Sequence, residues 1–243
     1  EREMTASITP QAPVPSGPER PRRKHRRLRW ILAGIAVLVV FIVAAVAVAI
    51  KLQPTPAPLA LPASAAAPVG PLDGTWQVTS GSVAGFRIQQ TVLGLTSDVV
   101  GRTEDITGTV VIAGGQATTA TVRINLLALT SAGKPAPQFG ISLDTQHHPD
   151  ATVGLVRPVA LDDRFASGAT TTITAAGQLT LHGVTRTVTV PLSARRDGAN
   201  LDVAGSIPVT FANWGIAGPK GYGVLGSLAD HGIAEFLLVL QRN

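Results

Sequence analysis

The chain has 243 residues, 45% hydrophobic and 14% charged, with 25 glycines, 18 prolines and no cysteine. The missing cysteine excludes disulfide staples, a lipid-modified cysteine anchor, a thiol nucleophile and any cysteine-held metal. The net charge of +5 divides unevenly: residues 1–71 carry nine Lys and Arg against three Asp and Glu, residues 72–243 eleven against twelve. The larger part therefore has no net field to draw in nucleic acid.

Glu1–Pro21 holds five prolines and no hydrophobic periodicity, so a disordered tail is expected over residues 1–29. Its end is basic, with Arg20, Arg22, Arg23, Lys24, Arg26, Arg27 and Arg29. A basic run directly before an apolar segment is a topogenic signal that keeps the tail cytoplasmic. Trp30–Ile50 then runs 21 residues without a charge, Asn, Gln or Pro. As a helix it covers roughly 31 Å, the thickness of a bilayer core. Arg29 and Lys51 flank it and can snorkel to the two headgroup layers. The segment exceeds the 7–15 residues or so of a signal-peptide core, so an uncleaved single-pass anchor is expected, with everything beyond it extracytoplasmic. Lys51–Pro71 has six prolines in 21 residues. It reads as a stiff linker that reaches up to about 65 Å and does not pack on the large domain beyond it.

From Leu72 the pattern alternates. Ser82–Gln90 is a less regular strand. Ile106–Ile112, Gly114-Gly115 and Thr118–Leu126 form a hairpin, the glycines supplying the turn's positive φ. Thr130–Pro149 is a connection with a short helical piece near Phe139–Gln146. Strands follow over Ala151–Leu161, Thr170–Leu181 and Val184–Ala194. Leu201, Val203, Ile207, Val209 and Phe211 then alternate, and Ile233–Leu240 closes the chain. Pro191 and Pro208 each lack a ladder donor and belong at edges or bulges. The sum is an all-β domain over 72–243: an antiparallel barrel of about eight strands or a sandwich, with no βαβ period.

Chemistry-bearing clusters are few. His182 sits in the turn Leu-His-Gly and is expected to hydrogen-bond backbone. His147 and His148, with Asp144 and Asp150, have metal-like types, but adjacent histidines on an extended chain point apart. Asp162-Asp163 suits a turn. There is no Gly-x-Ser-x-Gly elbow, and the glycine-rich run Gly215–Gly226 does not lead from a strand into a helix. No metal, catalytic residue or required cofactor is read here, and the chain is not expected to be an enzyme.

The hairpin Gln178–Val190, QLTLHGVTRTVTV, closely resembles the hallmark of the YceI-like family. Gly74-Thr75-Trp76 with Ser82 and Phe86, Leu143-Asp144-Thr145, Pro149–Thr152, Asn213–Ile216 and Ala234–Leu238 are similar to family segments in the same order. The resemblance covers roughly Leu72–Asn243. The chain departs from the family at Ala212, Asn213 and Trp214, where many relatives have an arginine and an acidic residue. The resemblance implies a lipocalin-like barrel with an elongated apolar cavity for an isoprenoid-type lipid, a quinone or a lipid carrier. Expected wall residues are Phe139, Leu143, Leu155, Leu179, Leu181, Val188, Val190, Val209, Phe211 and Phe236. An alternative reading is a structural or assembly subunit of a larger membrane protein complex. It would bind through the barrel and the single helix, and an apolar outer patch near Trp214 or Gly215–Gly226 would favour it.

Overall fold

A computed structural model describes residues 32, 34–45, 48, 55–63, 65–218 and 226–243. The chain divides into two units, Glu1–Ala49 and Ile50–Asn243. In the first, residues 34–45 are helical, and Val40 and Phe41 are 66% and 67% exposed. Among the described residues no helix is long and apolar enough to cross a membrane. Both ends of the expected span Trp30–Ile50, and the basic tail before it, lie outside them.

The second unit is built from β1 (Gly74–Val78), β2 (Val83–Val92), β3 (Leu95–Thr103), β4 (Ile106–Ala113), β5 (Gln116–Asn125), β6 (Thr130–Ser131), β7 (Lys134–Pro135), helix α1 (Pro137–Ser142), β8 (Asp150–Leu155), β9 (Val159–Ala160), helix α2 (Asp163–Ala166), β10 (Thr171–Leu181), β11 (Val184–Asp197), β12 (Asn200–Thr210), a 3-10 turn (Phe211–Trp214), β13 (Gly226–Leu228) and β14 (His231–Arg242). Eight strands pair in the order β1-β4-β5-β8-β10-β11-β12-β14, and β14 returns to β1. That closure leaves no free edge in the ring and makes it a barrel rather than a sandwich.

β1 pairs with one half of β14, through Trp76↔Arg242, and β2 with the other, through Leu237↔Val83. The step between them is bridged by buried Ser82. Its Oγ donates to the Val239 carbonyl at 3.2 Å and accepts from the Val239 N–H at 2.9 Å. Likewise β4 pairs with β1 and β3 with β2. β2 and β3 extend from β14 outside the eight-strand ring, and β3 meets β6 at Arg102↔Thr130. The wall opens there, and α1 covers the opening.

β11 and β12 also part company. Their ladder runs only from Leu192↔Gly205 to Asp197↔Asn200. Pro191 pairs with Thr174 of β10 and Pro208 with Ile233 of β14, both beyond that ladder. The prolines thus sit where one neighbour is missing, as their lost N–H requires.

The helical piece starts earlier than expected because Pro137 occupies the first turn, where a missing N–H costs nothing. It ends before Asp144, which takes φ 47°. The expected strand Ala151–Leu161 breaks at Arg157-Pro158 and resumes only as β9. The acid pair caps α2: Asp162 accepts from the Phe165 N–H at 2.8 Å.

The floor of the barrel is a core of Trp76, Ile112, Phe165, Leu201 and Leu240. A second core gathers Leu179, Val190, Ile207, Val209 and Trp214 toward the other end. The proline-rich linker departs from expectation. It lies against the barrel, with the Leu59 N–H donating to Glu235 Oε2 at 2.9 Å and the Ala66 N–H to Asp197 Oδ1 at 2.7 Å. Proline-rich chain offers many unpaired carbonyls, and this barrel presents outward-facing arginines to meet them.

Candidate functional site

Alternation builds the lumen. Along β14, Ala234, Phe236, Leu238 and Leu240 join the inner cores, and β12 answers with Leu201, Val203, Ile207 and Val209. Two glycines make room for the rings. A Cβ at Gly101 would stand 2.5 Å from Cε1 of Phe86, and one at Gly205 would stand 2.7 Å from Cζ of Phe236. Larger residues there would push these rings across the lumen. Phe86 and Phe139 meet edge-on, with centroids 4.8 Å apart, and this pair ties α1 to the β2 wall.

Between the floor and α1 lies a cavity of about 440 Å³. Its wall is aliphatic and aromatic. Gln138 and Ser142, both on α1, are polar residues in its lining, and Glu235 borders it while its carboxylate is held by Leu59 and Arg102 on the outside. A smaller space of about 150 Å³ lies toward the floor, and Val153 and Phe236 belong to both walls. One large apolar cavity with a few polar groups at one end is the usual form of a small-ligand site.

Seven of the ten expected wall residues line the larger cavity: Phe139, Leu143, Leu179, Leu181, Val209, Phe211 and Phe236. Leu155 and Val190 line the smaller one. Val188 lines neither and packs, partly buried, against the upper core. The structure adds Phe86, Ile88, Val99, Ile207 and Ala234 to the larger wall. Ala234 was legible, because it has the same strand parity as Phe236. Val99 was not, because its strand was not recognised.

The mouth is pinned by polar contacts. His182, at φ 52° in the β10–β11 turn, has its Nδ1 3.1 Å from the Trp214 carbonyl oxygen. Arg186 Nε donates to the Asn213 carbonyl, and its guanidinium lies 6.0 Å from the Trp214 ring centroid. These bonds hold the 3-10 turn across the gap between β11 and β12. Trp214 is itself buried, at 4% exposure, so no apolar outer patch forms at that residue. Residues 219–225 of the glycine-rich run lie outside the described residues.

His148 stacks at a tilt on His182, with centroids 5.2 Å apart, and His147 Nδ1 is 2.8 Å from Asp144 Oδ1. That hydrogen bond, with the nearby His148 and His182, holds the Asp144 carboxyl below the usual range. Among the described residues no group of three His, Cys, Asp or Glu is placed to hold a metal. On the outer wall Asp202 is 2% exposed with Arg195 3.6 Å away. Burial, helped by Asp197, pushes its carboxyl up against the pull of Arg195.

A family model described as the YceI-like domain matches residues 76–233. Among solved structures, the chain is similar to a polyisoprenoid binding domain from Saccharophagus degradans implicated in plant cell wall breakdown. That match has a TM-score of 0.52 at 16% identity and covers 70% of this chain and 99% of that one. BcnA of Burkholderia cenocepacia matches with a TM-score of 0.48 at 18% identity, over 63% of this chain and 95% of that one. A Campylobacter jejuni YCEI protein matches at 0.45 and 14%, over 60% and 86%. A comparison with the curated proteins finds no match.

Proposed function

The chain belongs to the YceI-like domain family, and from that premise we propose that it is a lipid-binding protein. It holds the apolar chain of an isoprenoid-type lipid, a quinone or a lipid carrier, inside the barrel. Trp30–Ile50 moors it as a single-pass helix with the barrel on the extracytoplasmic side. The observation that carries this reading is the cavity of about 440 Å³, apolar along its length and polar where Gln138 and Ser142 meet it. An apolar chain would enter toward Phe236, leaving its polar head beside α1. Burial contributes about 0.8 kcal/mol per CH₂, so ten carbons gain roughly 8 kcal/mol before ordering costs. That is enough for retention without a covalent bond.

The reading includes no reaction. Among the described residues the cavity wall has one hydroxyl, Ser142, and no histidine. Binding to a membrane protein complex gains no support from Trp214, which is buried.

Native mass spectrometry of the full chain, released from mild detergent, tests the reading. The expected spectrum shows the protein plus one adduct of lipid mass, and the adduct is removed by organic extraction. A bare protein mass in freshly extracted samples would overturn it.

A further inference from the structure

The proline-rich segment meets the barrel through a matched set of groups. Arg87 Nη2 donates to the Pro56 carbonyl at 2.6 Å and Arg102 Nη2 to the Ala57 carbonyl at 3.4 Å. The Leu59 N–H donates to Glu235 Oε2 at 2.9 Å. Further along, the Gly198 N–H donates to the Ala66 carbonyl at 3.2 Å and the Val69 N–H to the Gly198 carbonyl at 2.8 Å. Arg196 Nη2 then reaches the carbonyls of Val69 and Gly70 at 3.0 and 2.7 Å.

The wall side also ties its charged groups to one another. Glu235 stands between inward-facing Ala234 and Phe236, so its side chain points outward, yet it is only 4% exposed. Arg102 holds its Oε1 at 2.6 Å, and Arg87 Nε lies 3.4 Å from the same oxygen while its Nη1 bonds Asp98 at 2.8 Å. Both arginines thus have a fixed carboxylate behind them and a donor left over in front. Prolines at 56 and 58 give the segment bare carbonyls and few N–H groups. Two guanidiniums stand opposite two of those carbonyls, and one carboxylate oxygen stands opposite the N–H of Leu59. A chain already stiffened by proline loses little entropy when it docks.

We propose that the outer wall around Arg87, Arg102, Glu235 and the β11–β12 turn is a binding groove for an extended proline-rich chain. Its occupant is the protein's own segment 56–70. The segment is then a docked strap that sets the length of the tether. One consequence rests on the proposed membrane anchor. With the strap docked from Pro56, the five residues before it can span at most about 18 Å. With it released, Lys51–Pro71 reaches about 65 Å. The barrel would thus have two working distances from the bilayer.

The chain's lack of cysteine allows a clean test. Spin labels at Ala60→Cys and Gln89→Cys in the full chain report the strap-to-wall distance by pulsed electron resonance in detergent. The parent is expected to give one narrow distance peak. Glu235→Gln is expected to broaden it over tens of ångströms, since a released proline-rich stretch of about ten residues reaches roughly 31 Å when extended. Leu59→Pro, which removes the docked N–H and changes no barrel residue, is expected to broaden it likewise, so the test survives if Glu235→Gln fails to fold. A broad distribution in the parent, or a narrow peak kept in either folded variant, overturns the proposal. The readout depends on neither lipid nor bilayer. Lipid content measured on the same samples separates failure of the strap from failure of the lipid-binding reading.

Discussion

Ala234→Trp is expected to empty the lumen of the proposed lipid and to leave the barrel standing. Ala234 faces inward from β14, opposite Ile207 of β12 and Phe86 of β2, and is only partly buried because its methyl looks into the cavity. An indole at this point projects into about 440 Å³ of free space rather than into packed side chains. The overpacking cost, about 1–3 kcal/mol in a dense core, should fall at or below the low end of that range. The guest loses the same volume. At least a tenfold drop in bound lipid per protein is expected, equivalent to about 1.4 kcal/mol, with Tm within a few degrees of the parent. Quantified lipid extraction beside thermal circular dichroism checks both halves. Undiminished lipid in the folded variant would mean that the guest lies elsewhere.

Trp76→Ala has the opposite signature. Trp76 is 1% exposed and sits on β1, where the ring closes on β14. Its Nε1–H donates to the Leu72 carbonyl at 2.9 Å, fixing the start of the barrel to its floor. Truncation leaves a cavity against Phe165 and Leu240 and frees that carbonyl. The expected loss is about 3–5 kcal/mol, or roughly 6–20 °C in Tm for a domain of this size. Thermal unfolding followed by far-ultraviolet circular dichroism measures it. A shift under about 2 °C would show that the floor does not close the barrel.

These two residues also mark how far the sequence alone is legible. Strands with a clean inward parity were plain: Leu179 and Leu181 against Val188 and Val190 across His182-Gly183, and Phe236 with its neighbours on β14. The family hallmark lies on the first of these hairpins. β3 was invisible because its outer side carries Asp98 and Arg102 and its inner side carries Gly101, a gap that Phe86 fills. No hydrophobic period survives such an exchange, in which one strand supplies the hole and another the knob. Val188 was misplaced for a related reason. It has the right parity, but β11 has no ladder with β12 at that level, so its side chain packs at the seam instead of the cavity.

The linker was misread because composition reports stiffness and not docking. Six prolines predict an extended chain. Its contacts depend on Arg87, Arg102, Asp197 and Glu235, which no local window connects to it. The outward arginines on β2 and β3 look like ordinary solvated positions until the barrel brings them beside Glu235. Buried charges on an outer wall are the signal that something covers them, and only the folded chain displays that.

Whether the barrel encloses a guest is tested most directly by experimental electron density for the protein purified without delipidation. An elongated ribbon of density running from Gln138 and Ser142 past Val153 toward Phe236 is the predicted result. A lumen closed by inward rotation of Phe86, Phe139 and Phe236, with no density between them, would contradict it.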